Sequence, residues 1–199
     1  MDKIIIIGSG GHAKSCIDII ISQGLYEICG IVDYEVGKKI LEHTIIGNDD
    51  DLEVIFKKFK NAVIGIGQIQ DNTARVNIYN KLKKIGFRLP TIFSKNAFVS
   101  KYAEIGEATF IMQSVILGPD TIIGKNCIIN TSVSIEHGAF IGDNTHISTG
   151  ALINGDVKIG EDSFIGSGAI IRNGINIGRN CFIKMGSIVD RDIADNEKF

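Results

Sequence analysis

The sequence predicts a two-part chain: a small parallel α/β unit over residues 1–92, then a parallel β-helix of hexapeptide repeats over residues 93–199. Two patterns predict it. In the first half, short apolar runs alternate with amphipathic stretches at helical spacing. In the second half, a branched aliphatic residue recurs every six positions without a gap. Composition agrees. The 199 residues are 44% hydrophobic and 22% charged, enough to bury a core. The 23 glycines, 2 prolines and many isoleucines suit repetitive strands joined by tight turns. The formal net charge of −2 gives no electrostatic footprint for nucleic acid or an anionic membrane.

The elements of the first half follow in order. Ile4 to Ile7 is a buried strand, too short for a signal core or a membrane span. The turn Gly8-Ser9-Gly10-Gly11-His12-Ala13-Lys14 comes next. A helix is expected from about Ala13 to Gln23, with Cys16, Ile17, Ile20 and Ile21 inward and Gly24 as its stop. Ile28 to Val32 is a second strand, ending at Asp33. Asp49-Asp50-Asp51 is expected to cap a helix carrying Leu52, Ile55, Phe56 and Phe59. Ala62 to Ile66 is a third strand, ending at Gly67. Asn72 to Ile85 reads as a helix with Ile78, Leu82 and Ile85 inward, and Phe87 to Phe93 as a strand leading into the repeat. His43 lies in a polar stretch with no assigned role.

Such a unit is half-Rossmann-like, too small for a full dinucleotide fold, and ligands bind beyond the carboxyl ends of its strands. Gly8-x-Gly10 between strand and helix lets backbone amides approach a diphosphate at a helix N-terminus. Asp33 is suited to accept hydrogen bonds from a ribose or a base. A mononucleotide, such as the nucleotide part of a sugar-nucleotide, suits the unit. A tight turn with no ligand is the alternative. Cys16, Cys29, Cys127 and Cys181 form no C-x-x-C pair and follow no export signal. They are expected to be reduced, small buried residues of a cytoplasmic protein.

The repeat runs Val99, Ile105, Ile111, Leu117, Ile123 and so on to Ile183 and Val189. Four residues after each member sits a small or β-branched residue, with Ile175 the bulky exception. Three residues after most members sits Gly, Asn or Asp, among them Asp120, Asn126, Gly138, Asn144, Asp156 and Gly168. These residue types tolerate the left-handed backbone of a tight corner. Each hexapeptide is therefore one side and one corner, and three sides make a coil. Fifteen hexapeptides give five coils.

Ile-Gly-Ser-Gly-Gly-His-Ala-Lys after an N-terminal strand, together with a C-terminal hexapeptide repeat containing Ile135-Glu136-His137, resembles the bacterial sugar O- and N-acyltransferases of the sialic acid O-acetyltransferase type. These belong to the hexapeptide acyltransferase superfamily. Within the family the chain looks most like enzymes that N-acetylate nucleotide-linked 4-amino-4,6-dideoxy sugars. The resemblance implies a left-handed parallel β-helix, a homotrimer, and acetyl-coenzyme A bound in clefts between adjacent subunits. No metal is implied.

His137 stands two residues after Ile135, outside the core of the repeat. It coincides with the family's catalytic histidine, a general base for direct attack on the thioester. Relatives often carry an acidic residue directly after it, where this chain has Gly138. Glu136 is the first choice for the carboxylate that orients the imidazole, although neighbours on a strand point to opposite faces. By the same resemblance, His146, Gly155, Ser167 and Met185 line the acetyl-coenzyme A groove, and Asn130 holds substrate. Gly10, Gly11, His12, Asp33 and Gly67 hold the nucleotide-sugar, and Arg75 either approaches its phosphates or lies on the surface. The alternatives are O-acetylation of sialic acid or another sugar hydroxyl, and a trimeric nucleotide-sugar-binding scaffold without catalysis. A zinc hydratase on the same solenoid would need three histidine ligands. Here only His137 and His146 lie in the repeat, nine residues apart.

Overall fold

A computed structural model describes residues 1–199. The chain divides into two compact units, Met1–Ile92 and Phe93–Phe199.

The first unit runs β1 (Asp2–Ile7), α1 (Gly11–Gln23), β2 (Tyr26–Val32), β3 (Lys39–Ile40), β4 (His43–Gly47), a short 3-10 turn (Asp49–Asp51), α2 (Leu52–Lys58), β5 (Asn61–Ile64) and α3 (Thr73–Ile85). The sheet order is β3-β4-β2-β1-β5. β4, β2, β1 and β5 are parallel, and β3 pairs antiparallel with β4. Ile4 to Ile7 are buried, as a central parallel strand covered on both faces requires. α1 ends at Gly24 in the left-handed conformation, as expected. α3 ends the same way at Gly86, whose N–H bonds to Leu82 O and Lys83 O.

Four local expectations need correction. Ile21, expected inward on α1, is exposed, and Ile19 is buried instead. The polar stretch around His43 contains β4, which pairs through Ile31↔Ile45 and Val32↔Gly47. That pairing is long-range, so local pattern did not reveal it. The aspartate run takes part in the cap only through Asp51, the residue before α2: Asn48 caps the 3-10 turn, its side chain accepting from Asp50 N, while Asp51 accepts from Asn48 N. Phe87 to Phe93 is not one strand. Arg88 only bridges to Asn61, and Ile92–Phe93 is already the first rung of the solenoid.

The solenoid consists of two-residue strands stacked into three parallel sheets. The first face carries Phe98–Val99, Ile116–Leu117, Ser134–Ile135, Leu152–Ile153, Ile170–Ile171 and Ile188–Val189. The second runs from Glu104–Ile105 to Asn176–Ile177, and the third from Ile92–Phe93 to Phe182–Ile183. Each residue pairs with the one eighteen positions on. From Phe98–Val99 onward the second residue of each strand is the aliphatic of the repeat and points inward; in Ile92–Phe93 it is Ile92 that is buried. Ile111, Leu117, Ile129, Ile135, Ile147, Ile153 and Ile165 are all fully buried. The corner positions have positive φ at Asp120, Asn126, Gly138, Asn144, Gly150, Asp156, Asp162, Gly168, Gly174, Asn180 and Gly186, and also at Ala108, Ser114 and Ser132.

The three corners are not alike. The corner between the second and third faces begins with Gly106, Gly124, Gly142, Gly160 and Gly178. A Cβ on any of them would strike the backbone of the next coil. Behind it an inward column of Thr109, Cys127, Thr145, Ser163 and Cys181 bonds the next coil's carbonyls. Thr109 Oγ1 donates to Gly124 O at 2.9 Å, and Thr145 Oγ1 to Gly160 O at 3.1 Å. Cys127 and Cys181 fill rungs of this ladder as weak S–H donors, to Gly142 O and Ala194 O. Burial pushes the Cys181 thiol up, so it stays protonated. Asn126, Asn144 and Asp162 form a second ladder along the same corner.

Gly160→Ala tests this close approach, because its Cβ would lie 2.5 Å from Arg179 N. Overpacking against backbone costs about 1–3 kcal/mol. Denaturant unfolding should show a loss of that size in Gly160→Ala.

Candidate active site

In the first unit the named glycines gather beyond the carboxyl ends of β1 and β5. Gly8 turns the chain at φ +100, and a Cβ there would lie 2.8 Å from Ile66 Cγ1. Gly65 packs against Ala13, where a Cβ would come within 2.9 Å, and Gly67 faces His12 at 3.3 Å. These glycines let the β5–α3 loop lie against the start of α1. Gly10 is the N-cap of α1 and Gly11 its first residue. Nothing stands within 4 Å of a Cβ on either, so the helix N-terminus is open. Asp33 follows β2, with Oδ1 accepting from Tyr34 N at 2.6 Å. Gly10, Gly11, His12, Asp33 and Gly67 thus lie beyond the carboxyl ends of the strands, where ligands of such folds bind.

Two side chains there have internal partners. His12 Nε2 lies 3.5 Å from Cys16 Sγ. Burial pushes the Cys16 thiol up to about 12, with the Arg75 charge pulling the other way, so Cys16 is no nucleophile. Arg75 does not lie on the surface. It is fully buried, and Nη1 donates to Ile64 O and Ile66 O, both at 2.8 Å. Its charge braces the loop that carries Gly65 and Gly67.

In the solenoid the candidate residues fall into two columns. His137 stands at the corner between the first and second faces, one coil above Gly155. The imidazole lies over the Gly155 α-carbon. A Cβ at 155 would sit 2.5 Å from Cε1 and 2.6 Å from Nε2. The ring is 60% exposed, and its Nδ1 faces Asp156 Oδ1 at 4.0 Å. Glu136 does not turn toward it. Its carboxylate accepts from Ser134 Oγ at 2.8 Å, because adjacent residues project to opposite sides. The coil-to-coil ladder uses Asn154 N and Asp156 N, and not the amide of Gly155 between them.

Asn130, Ser167 and Met185 lie on the corner between the third and first faces. His146 is the outward residue of a third-face strand beside it. Asn130 Nδ2 donates to His146 Nε2 at 3.2 Å, and Ser167 Oγ bonds Ser148 Oγ at 2.9 Å. His146 is buried and meets Phe164 edge-on, which stacks on Phe182. Met185 is 74% exposed. Within one chain the first face separates this column from His137. Five of its six outward residues, Phe98, Ile116, Leu152, Ile170 and Ile188, are exposed and apolar, and the sixth is Ser134. Asp156 lies at the His137 corner too, and the sequence pattern alone gave it no role beyond the turn. Its place eighteen residues after Gly138, one full coil, was the available signal.

Comparison with known proteins follows the same division. The PglD N-terminal domain family matches residues 3–82. The bacterial transferase hexapeptide family matches residues 102–137 and 138–173, and the hexapeptide repeat of succinyl-transferase matches residues 156–191. The chain belongs to the bacterial hexapeptide transferases, with a PglD-type N-terminal domain and a left-handed parallel β-helix. Within that class it is similar over its whole length to amino-sugar N-acetyltransferases. The acetyltransferase domain of PglB from Neisseria gonorrhoeae shares 28% identity over 100% of this chain and 96% of that one, with a TM-score of 0.92. The same domain in complex with acetyl coenzyme A gives 26% identity over 98% and 94%, and a TM-score of 0.89. PerB from Caulobacter crescentus, in complex with CoA and GDP-perosamine, gives 30% identity over 98% and 92%, and a TM-score of 0.92.

Gly155→Ala tests the seat of the imidazole. The three atoms nearest the added Cβ all belong to the His137 ring, so the ring must move while the backbone keeps its φ. The variant should unfold within a few degrees of the parent. Its kcat/KM should fall about 100-fold, as expected for a catalytic group misplaced by roughly 1 Å.

Proposed function

We propose that the protein transfers the acetyl group of acetyl-coenzyme A to the 4-amino group of a nucleotide-linked 4-amino-4,6-dideoxy sugar. The observation that carries this reading is the whole-chain likeness to PerB, which was solved with CoA and GDP-perosamine. The geometry of the chain supplies a mechanism. The amine must lose a proton as its nitrogen attacks the thioester carbonyl carbon. His137, exposed and seated on Gly155, is the group placed to accept that proton through Nε2. A positioned base of this kind contributes about 10²- to 10⁴-fold. The Gly155 amide, outside the backbone ladder, is the donor for the oxygen that becomes negative. The new C–N bond forms, the C–S bond breaks, and coenzyme A leaves as the thiol.

Binding divides between the units. Gly10, Gly11, His12, Asp33 and Gly67 would hold the nucleotide-sugar at the open N-terminus of α1. His146, Gly155, Ser167 and Met185 would line the path of acetyl-coenzyme A, with Asn130 holding His146 and substrate.

The two columns of the solenoid can face one cleft when the corner bearing Ser167 and Met185 in one protomer meets the His137 corner of the next. The exposed apolar first face between the columns is the surface such packing would bury. A homotrimer is the closed arrangement this proposal adopts. No helix is long and apolar enough to cross a membrane. We assign the enzyme to the bacterial cytoplasm, where acetyl-coenzyme A and nucleotide sugars are made.

Incubation with acetyl-coenzyme A and GDP-, dTDP- or UDP-linked 4-amino sugars should release free thiol and give a product stable to mild base, as an amide is. A product cleaved by mild base would instead be an ester, from O-acetylation. His137→Ala should abolish turnover while the acceptor still raises the unfolding temperature. The scaffold alternative expects no thiol release from the parent. Sedimentation should give three chains per particle, and Leu152→Glu on the first face should yield monomer with little activity.

A further inference from the structure

The corner that carries His137 has an acidic neighbour in an unexpected place. Gly138 and Asp156 occupy equivalent corner positions in successive coils, with φ of +67 and +61. Eighteen residues separate them, one full turn of the solenoid. A Cβ built on Gly138 would run into Asp156 Oδ1, so that carboxylate fills the space a side chain at 138 would take. Asp156 is also anchored to the histidine's own backbone, its N–H donating to His137 O at 2.9 Å. Its Oδ1 stands 4.0 Å from His137 Nδ1. Glu136, the other acid at the corner, is held by Ser134.

We propose that Asp156 is the positioning residue for His137, its carboxylate taking the Nδ1–H and leaving Nε2 unprotonated toward the acceptor amine. The proposal rests on His137 being the general base. The separation must close from 4.0 Å to about 2.8 Å for a charge-assisted hydrogen bond. Both side chains are mostly exposed, so side-chain rotation can provide the movement, and such bonds often tighten only in the reacting complex. The carboxylate thereby reaches the imidazole from the coil below rather than from the next residue in sequence. The corner backbone alone does not account for Asp156. Asparagine and glycine meet the same left-handed requirement elsewhere in the repeat. Only aspartate also brings an acceptor charge to the imidazole.

The test separates charge from corner geometry. Asp156→Asn keeps a residue that tolerates positive φ and removes the charge. It should lower kcat about 10- to 100-fold, with the KM for acetyl-coenzyme A unchanged. This is a part of the 10²- to 10⁴-fold that a positioned base supplies. In the 15N spectrum of the parent, His137 should carry its proton on Nδ1. In Asp156→Asn that preference should be lost. The double variant Gly138→Asp/Asp156→Gly moves the carboxylate one coil up, into space the second change has vacated, and should recover most of kcat and the Nδ1–H signature. A purely structural role predicts an unchanged 15N spectrum and no recovery in the double variant, and either result overturns the proposal. So does a loss in Glu136→Gln that Asp156→Asn does not share. Turnover retained in His137→Ala would overturn the general-base reading instead. The 15N signature still decides the contact between Asp156 and His137 in that case, because it does not depend on turnover.

Discussion

One constraint underlies the solenoid. The chain must close a three-sided coil every eighteen residues, so that each strand hydrogen-bonds to its equivalent above and below. That closure demands a left-handed residue at nearly every corner and a branched aliphatic at every side. The backbone ladder, the narrow core of isoleucine and the stacking of corner residues all follow from it. So does the site, because closure places residues eighteen apart within one strand spacing, about 4.8 Å. His137 meets Gly155 for that reason, and Asp156, the equivalent of Gly138 one coil on, stands beside the ring.

The three corners divide the work. One is given to structure: its glycines let successive coils touch, and its column of Thr, Cys and Ser side chains ties the carbonyls together. The other two are freer in residue type, and they hold the candidate chemistry. Gly155 belongs to this second kind. Its missing side chain makes room for an imidazole rather than for backbone. The same residue type serves opposite ends at different corners, and what lies above it decides which.

The first unit follows a similar economy. Gly8, Gly65 and Gly67 allow two loops to meet at the open end of α1, and the buried Arg75 holds the second loop by its carbonyls. A charge that looked available for a ligand is spent on the scaffold that shapes the glycine turn. Burying an arginine is tolerable because hydrogen bonds from its guanidinium meet the carbonyls that would otherwise be unsatisfied.

Periodicity made the solenoid legible, since a six-residue repeat of aliphatic, small and left-handed residues has one regular solution. Local spacing likewise gave α1 and α3, and the strand–glycine–helix order placed Gly10, Gly11 and His12 at a helix N-terminus. β4 was hidden because its partner Ile31 is distant in sequence. The fate of Arg75 was hidden because burial is a property of packing. By itself the sequence determined the architecture and the position of His137 outside the core. Only the tertiary structure decided which acid faces that histidine. Adjacent residues on a strand diverge, which sends Glu136 to Ser134, whereas coil stacking converges distant ones, which brings Asp156 to the ring.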